Sequence, residues 1–409
     1  MRPVVVLIFH AAAPDGAGPL VRALAEARHS LAERQRVAFL AAGADEVEIV
    51  AGAPDGRSFG ERLRAAMRAR TGRAGSSGVG GAAAGAIAGS RATGGAIVLG
   101  SGSIPLARAA DLRRFVEVAA GPAGHALANN RYSADVVAVS RAADLADLPP
   151  LPADNALPRW LEERAGVAVA DLRSRWRLGV DIDTPLDLIV LGDPAGRDLA
   201  DATDRAAAAD RAAAGDRHGT EPLIGERLAA LSEVLANRRA ELLIAGRVSS
   251  ATLRWLESGV ACRVRALIEE RGLRAASRLA QSGLTTGSRP PRSVLGELLD
   301  RDGPESLAHT VARLADAALI DTRVLLAHRH GADDSATLPA ASPLATWPAA
   351  EDRFASDLLL PGSIADPWLR ALTESAATSP ADNPILLGGH TLVNGGLRLL
   401  AQRARAGAR

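Results

Sequence analysis

The sequence predicts an α/β protein made of two three-layer domains with mainly parallel sheets. Short apolar runs alternate with helical stretches through both halves of the chain, as in consecutive β-α-β units. A stretch over residues 193–222, rich in Ala, Asp and Arg, has hardly any large apolar residue and separates the halves. We therefore expect a first domain over residues 1–192, a linker over 193–222 and a second domain over 223–409.

Composition excludes several classes of function. The 48 basic and 47 acidic side chains leave a formal net charge of +1, so we expect neither nucleic acid nor a membrane as a partner. All basic side chains apart from histidine are arginines, which excludes lysine Schiff-base chemistry and a Walker-type phosphate loop. Cys262 is the single cysteine, which excludes an intramolecular disulfide and a cysteine-based zinc site. These features predict a cytoplasmic protein.

The first domain is predicted to open on a buried strand. Residues 4–9 are all apolar and His10 ends the run, which favours a strand over a secretory signal. The elements expected next are a helix over 19–42, a strand over 46–50, a helix over 59–70, a strand over 96–99, a helix over 109–119, a strand over 136–139, a helix over 155–163, and a strand over 179–183 followed by a helix from Pro185. Residues 71–95 are mostly Gly, Ala, Ser and Arg, and we expect a mobile inserted loop there.

The second domain repeats the alternation. Its expected strands cover residues 241–245, 263–268, 322–327 and 385–387, and its expected helices cover 251–256, 293–299, 305–318, 364–375 and a final stretch from Leu392. A long loop is expected over 330–348. The pattern predicts a second, mainly parallel sheet.

Two aspartates mark the end of the first domain. Asp181 and Asp183 stand two apart on an expected strand, so their carboxylates would share one face and can hold a hard divalent cation such as Mg²⁺. Thr184 can cap the following helix with Pro185 at its first position. Local chemistry alone favours this structural interpretation over a metal site.

The string over residues 178–188 resembles the Asp-Val/Ile-Asp-Thr-Pro-Glu-Asp-Leu ending of nucleotidyltransferases with the nucleotide-diphospho-sugar-transferase, or GT-A-like, fold. That family includes molybdenum-cofactor and phospholactate guanylyltransferases. Residues 31–35 with 42–47, and residues 97–106, resemble two further family stretches in the same order. The resemblance covers residues 1–192.

The resemblance implies a ligand, a cofactor and an activity. It implies a nucleotide or phosphorylated small molecule as ligand, Mg²⁺ at Asp181 and Asp183, and transfer of a nucleotidyl group to a phosphate or related acceptor. The chain departs from the family at Ser103, where a metal-binding aspartate is usual, and in the loop after His10, which lacks the family's lysine. A catalytically degenerate scaffold or sensor is therefore the alternative.

Two loops of the first domain are candidate binding sites. Gly100, Ser101, Gly102 and Ser103 follow a strand and can bind phosphate through backbone N–H groups, although a plain strand-to-helix turn is the favoured interpretation. The polar cluster of Asn129, Asn130, Arg131 and Tyr132 precedes a strand. Substrate recognition and an ordinary turn are equally favoured for this cluster.

The second domain carries polar residues after its expected strands. These candidates are Arg247, Ser249, Glu269, His328 and His390. They would converge if the strands are parallel, because ligands bind at the carboxyl ends of such strands. Arg247 and Ser249 can hold an anionic group, while Glu269, His328 and His390 can supply acid–base or metal chemistry. The alternatives are structural turns and ion pairs. An enzyme active site wholly within residues 223–409 is a third hypothesis for the protein.

Overall fold

The computed structural model describes residues 2–52, 56–72, 94–151, 154–213, 224–269, 290–331 and 347–407. Most of the expected loop over 71–95 lies outside the described residues, as do the end of the expected linker and most of the expected loop over 330–348. No helix in these described ranges is long and apolar enough to cross a membrane.

The chain forms two compact units. Among the described residues, unit 1 consists of 2–16 and 25–181, and unit 2 consists of 17–24 and the described residues from 182 onward. Residues 182–191, assigned above to the first domain, belong to unit 2. Part of the expected linker, Pro194–Ala213, is a helix.

Unit 1 contains a six-stranded sheet. Its strands are β1 (Val4–Ala11), β2 (Glu46–Gly52), β3 (Gly95–Gly100), β4 (His125–Ala128), β5 (Val136–Val139) and β6 (Ala168–Asp171). The helices between these strands are α1 (Pro19–Ala41), α2 (Phe59–Gly72), α3 (Ala109–Ala120) and α4 (Leu157–Glu163). The first residues of α1 belong to unit 2. Short 3₁₀ turns lie at Ala142–Leu145, Asp154–Ala156 and Trp176–Gly179. The α/β fold class is therefore confirmed for this unit.

The strand order in unit 1 is β2-β1-β3-β5-β4-β6. Strand β5 runs antiparallel to β3 and β4, while the other neighbouring strands pair in parallel. The chain passes from β1 to β2 on one side and then to β3 on the other. The strand order thus reverses between β1 and β3, which creates a crevice at their carboxyl ends.

Apolar side chains cover both faces of this sheet. Ile8 packs in one buried cluster with Phe39 and Phe115, whereas the neighbouring Leu7 packs in another with Leu63. Successive side chains of a strand point to opposite faces, so β1 contributes to both clusters. The sheet of unit 1 is therefore buried between two layers.

Unit 2 contains a four-stranded, fully parallel sheet in the order β10-β9-β7-β8. Its strands are β7 (Glu241–Gly246), β8 (Arg263–Ile268), β9 (Ala317–Asp321) and β10 (Ile385–Gly388). Its helices are α5 (Pro185–Leu191), α6 (Pro194–Ala213), α7 (Ile224–Ala236), α8 (Ser250–Gly259), α9 (Val294–Asp302), α10 (Leu307–Ala312), α11 (Thr322–His330), α12 (Ala350–Asp357), α13 (Pro367–Ala377) and α14 (Leu397–Gly407), with 3₁₀ turns at Pro304–Ser306 and Pro361–Ser363 and a π-helix at Leu392–Gly396. The order reverses between β7 and β9, which gives unit 2 its own crevice.

Three expected elements are wrong. Residues 179–183 do not form a strand: a 3₁₀ turn ends at Gly179, and Asp181 makes only an isolated antiparallel bridge with Ser103. Residues 322–327 belong to helix α11, because the Asp321 side chain accepts the Arg323 N–H and caps a helix there. The helix expected over 305–318 ends early, at Ala312.

Candidate functional site

The crevice of unit 1 contains a buried pair of polar side chains. His10 lies near the end of β1, and Ser101 follows the end of β3. Nδ1 of His10 and Oγ of Ser101 are hydrogen-bonded at 3.1 Å. The two residues are only 8% and 5% exposed. Ser101 is also fixed through its backbone N–H, which donates to the Phe9 carbonyl at 2.9 Å. The pair therefore joins the two strands where the sheet order reverses.

Two basic side chains, Arg28 and His29, act on His10. The rings of His10 and His29 lie 5.1 Å apart between centroids. Burial lowers the pKa of His10, and the charges of His29 and Arg28 lower it further. His10 is accordingly neutral at pH 7, and its surroundings favour an anion over a second cation.

The loop after β3 is held in one conformation. The Gln35 side-chain amide donates to the Ser103 carbonyl at 2.6 Å, and its Oε1 is buried without a hydrogen-bond partner among the described residues. Ile104, which is buried, has φ of 47°. A β-branched residue adopts this left-handed conformation only where its surroundings impose it, often at functional sites. The loop is therefore a strained, fixed feature of the crevice.

In the polar cluster that follows β4, the side chains of Asn129 and Asn130 form the hydrogen bonds of a turn. The Asn129 side chain donates to Asp135 at 2.6 Å and to the Leu178 carbonyl at 2.7 Å, and accepts the Asp135 N–H at 2.9 Å. Asn130 accepts the Tyr132 N–H at 3.1 Å. These bonds match the turn interpretation of the two asparagines.

Tyr132 is the exposed member of this cluster, and Arg131 lies beside it. Arg131 forms an ion pair with Glu162. The Tyr132 ring is 53% exposed, with the guanidinium groups of Arg131 and Arg173 at 5.6 and 5.4 Å from its centroid. This arrangement is a cation–π stack at the same sheet edge as His10.

The two aspartates of the resemblance motif differ in environment. Asp181 is half-buried in unit 1, and Asp183 is exposed in unit 2. Thr184 caps helix α5 by accepting the Asp187 N–H at 3.3 Å, which confirms the expected cap. Within the described part of the chain, no group of three or more His, Cys, Asp or Glu side chains is arranged to hold a metal ion.

The crevice of unit 2 contains a buried ion pair. Nε of Arg247, just after β7, lies 2.8 Å from Oδ2 of Asp321, the last residue of β9. Asp321 is fully buried, whereas the Arg247 side chain is 21% exposed. Burial acts to raise the pKa of Asp321, but Arg247 and Arg323 outweigh it and hold this pKa below its ordinary value. Gly246 has φ of 134°, and a Cβ there would lie 2.3 Å from Cβ of Asp321, so only glycine fits.

His390 and Asn394 follow β10 and lie at the same edge of the sheet as Arg247. Nδ1 of His390 lies 3.0 Å from the Arg247 carbonyl, and the Asn394 side chain donates to that carbonyl at 2.9 Å. Oδ1 of Asn394 accepts the Ser249 N–H at 2.8 Å. Burial, followed by the charge of Arg247, lowers the pKa of His390 to about 4. Arg247, Ser249 and His390 are thus brought together.

Glu269 and His328 form a second group. Oε1 of Glu269 accepts the Val294 N–H at 2.6 Å. Nδ1 of His328, on helix α11, accepts the Ser293 N–H at 3.1 Å, and its Nε2 lies 3.1 Å from Asp300. Both side chains therefore bind the start and body of helix α9. The five candidates of the second domain fall into two groups rather than one.

Sequence reasoning missed several residues of the two crevices. In the sequence His10 only marks the end of an apolar run, and Asp321 precedes the strand expected over 322–327, whereas it is the last residue of β9. Asn394 lies in the π-helix and was not singled out. The one sequence signal that points to these three residues is their position, because each lies within a few residues of the carboxyl end of a strand.

No match to this chain is found among models of known protein families, among curated proteins or among solved structures.

Proposed function

We propose that unit 1 binds a nucleotide or another phosphorylated small molecule at the carboxyl ends of β1 and β3. The observation that carries this proposal is the His10–Ser101 hydrogen bond at the point where the strand order reverses. Open α/β sheets bind their ligands at such points. In the hydrogen-bonded pair of a hydroxyl and a neutral imidazole, one hydrogen joins the two side chains and the other, on Ser101 or on Nε2 of His10, can donate to a phosphate oxygen.

The charged side chains near His10 favour an anionic ligand. Arg28 acts on His10 as a positive charge, and an anion placed beside it would gain favourable Coulomb energy in a partly desolvated crevice. The loop of Gly100 and Ser101 lets backbone approach a ligand closely, because glycine has no Cβ. These features favour phosphate over an apolar ligand.

Nucleotidyl transfer is the activity that the sequence resemblance adds to this binding site. In that reaction an acceptor oxygen forms a bond to the α-phosphorus and pyrophosphate leaves. Catalysis consists mainly of positioning the groups and neutralising the developing charge. Here Arg28 would neutralise charge, while Ser101 and His10 would orient the phosphates.

A binding-only scaffold or sensor is the second candidate. Ser103 favours it, because a hydroxyl is a poor substitute for the carboxylate that usually holds Mg²⁺. The two candidates share the ligand and differ in turnover. Release of pyrophosphate from a bound nucleoside triphosphate that depends on an added sugar phosphate as acceptor, assayed with and without Mg²⁺, would support transfer. Stable binding without release in the presence of these acceptors would support the scaffold.

We expect the full chain to be stabilised by one member of a panel of nucleoside triphosphates, nucleotide sugars and sugar phosphates. A ligand at about 100 times its Kd adds about 2.7 kcal/mol to the free energy of unfolding, which raises the Tm measurably. The variant H10N/S101A is expected to lose most of this increase because both side chains of the crevice are changed. Scanning fluorimetry measures each Tm.

The matched control is Arg114→Ala, an exposed change on helix α3 that should leave the ligand-induced increase intact. An unchanged increase in a folded H10N/S101A variant would refute the location of the site. The absence of any increase across the panel would refute phosphate binding by unit 1.

A further inference from the structure

Three strands of unit 2 end at one group of polar side chains. Arg247 follows β7, Asp321 ends β9 and His390 follows β10, where the strand order of the sheet reverses. The proposed function of unit 1 uses none of these residues.

We propose that unit 2 carries a second ligand site, at the carboxyl ends of β7, β9 and β10, for a small molecule with an anionic group. The Arg247 guanidinium binds the anionic group, and Nε2 of His390 accepts a hydrogen bond from a hydroxyl or amine of the same molecule. Both side chains belong to unit 2, and they differ from the residues proposed to bind phosphate in unit 1.

The orientation of the His390 ring is fixed. The Asn394 side-chain amide donates its two N–H groups to the carbonyls of Arg247 and His390, each at 2.9 Å. Nδ1 of His390 lies 3.0 Å from the Arg247 carbonyl and 3.0 Å from the Asn394 amide nitrogen. Because a carbonyl oxygen only accepts and both amide N–H groups point to carbonyls, we assign the ring proton to Nδ1. Nε2 carries the lone pair, so it is the acceptor of the ring.

The charges of the two side chains fit these roles, with Arg247 binding the anion and His390 accepting a hydrogen bond. Asp321 holds Arg247 by its Nε, and the Arg247 side chain is partly open to solvent. His390 is neutral at pH 7, because burial and Arg247 outweigh the opposing effects of Asp321 and Asp183. A neutral imidazole beside a guanidinium accepts a hydrogen bond without repelling the arginine. An anion bound to Arg247 would raise the pKa of His390.

A purely structural role accounts poorly for this arrangement. A buried ion pair contributes little stability compared with apolar packing of the same volume. The edge also contains a π-helix, Leu392–Gly396, which supplies Asn394, and such π-helical turns occur frequently at functional sites. Gly246 is required for the close approach of β7 to Asp321. Three uncommon features thus serve to place Arg247 and His390.

The test follows the His390 ring by NMR in the full chain. The Cε1–H resonance of His390 is assigned as the one of the chain's eight histidine signals that disappears in His390→Asn. Inorganic phosphate, or acetate as a carboxylate probe, is then added at pH 7. We expect a saturable shift of this resonance with at least one probe, and a His390 pKa raised by at least half a pH unit at saturation.

Variants locate the anion. Arg247→Gln is expected to weaken the binding seen at His390 at least tenfold, whereas the exposed Arg239→Gln is expected to leave it unchanged. If Arg247→Gln does not fold, the wild-type titration still decides. A His390 resonance that stays fixed with both probes, or moves linearly without saturation, would overturn the second site. Saturable binding that persists unchanged in a folded Arg247→Gln variant would overturn the role of Arg247.

Discussion

Replacement of Arg323 by methionine is expected to lower the free energy of unfolding by about 3–5 kcal/mol, the usual effect of leaving one buried charge without its partner. The Arg323 guanidinium donates to both carboxylate oxygens of Asp357, at 2.6 and 2.8 Å. Both side chains are buried. Burial raises the pKa of Asp357, and Arg323 is the main group that favours its charged form. Urea unfolding followed by circular dichroism measures the change.

The double variant R323M/D357L serves as the control for this prediction. It removes both charges together, so it is expected to be more stable than R323M alone. A loss below about 1 kcal/mol in R323M, or a double variant less stable than the single one, would contradict this assignment.

Asp187→Asn is expected to make the protein more stable than wild type at pH 8 and nearly equal to it at pH 4. Burial, followed by the charge of Asp183, raises the pKa of Asp187 to about 7. In the unfolded chain an aspartate ionises near pH 3.9. Between these values the folded state holds a proton that the unfolded state releases, so stability falls as pH rises through this window. The asparagine does not titrate and escapes this loss, which reaches at most about 4 kcal/mol.

The cap of helix α5 should survive this change. Oδ2 of Asp187 accepts the N–H groups of Asp183 and Thr184 at 2.9 and 2.7 Å, and an asparagine oxygen can accept both. Oδ1 of Asp187 is buried without a hydrogen-bond partner among the described residues. Melting temperatures from pH 4 to 8 test the prediction, with the exposed Asp198→Asn as control. A difference in Tm that does not depend on pH would contradict it.

Most strands could be predicted because their apolar runs are long enough to be distinct. The sequence does not predict β4, His125–Ala128, or β6, Ala168–Asp171, because a run of four residues is too short to carry a periodic signal. β9 was misplaced because two apolar runs are adjacent, Ala317–Asp321 and the start of α11. Periodicity alone does not distinguish a short buried strand from a buried helical turn.

The site was predictable only where position along a strand sufficed. Arg247 and His390 follow strands that were recognised, so their convergence could be expected. The His10–Ser101 contact joins residues 91 positions apart and depends on which strands are neighbours. Asp181 and Asp183 were expected on one face of a strand, but the 3₁₀ turn before them and the Thr184 cap after them separate their environments.

The most direct test of phosphate binding by unit 1 is the NMR titration of His10 with pyrophosphate and with the best ligand of the panel. His10→Asn assigns its Cε1–H resonance. Phosphate binding in the crevice predicts a saturable shift and a raised pKa of His10, because a bound anion opposes the effects of His29 and Arg28. A His10 resonance that does not move while the ligand stabilises the protein would contradict the proposed site.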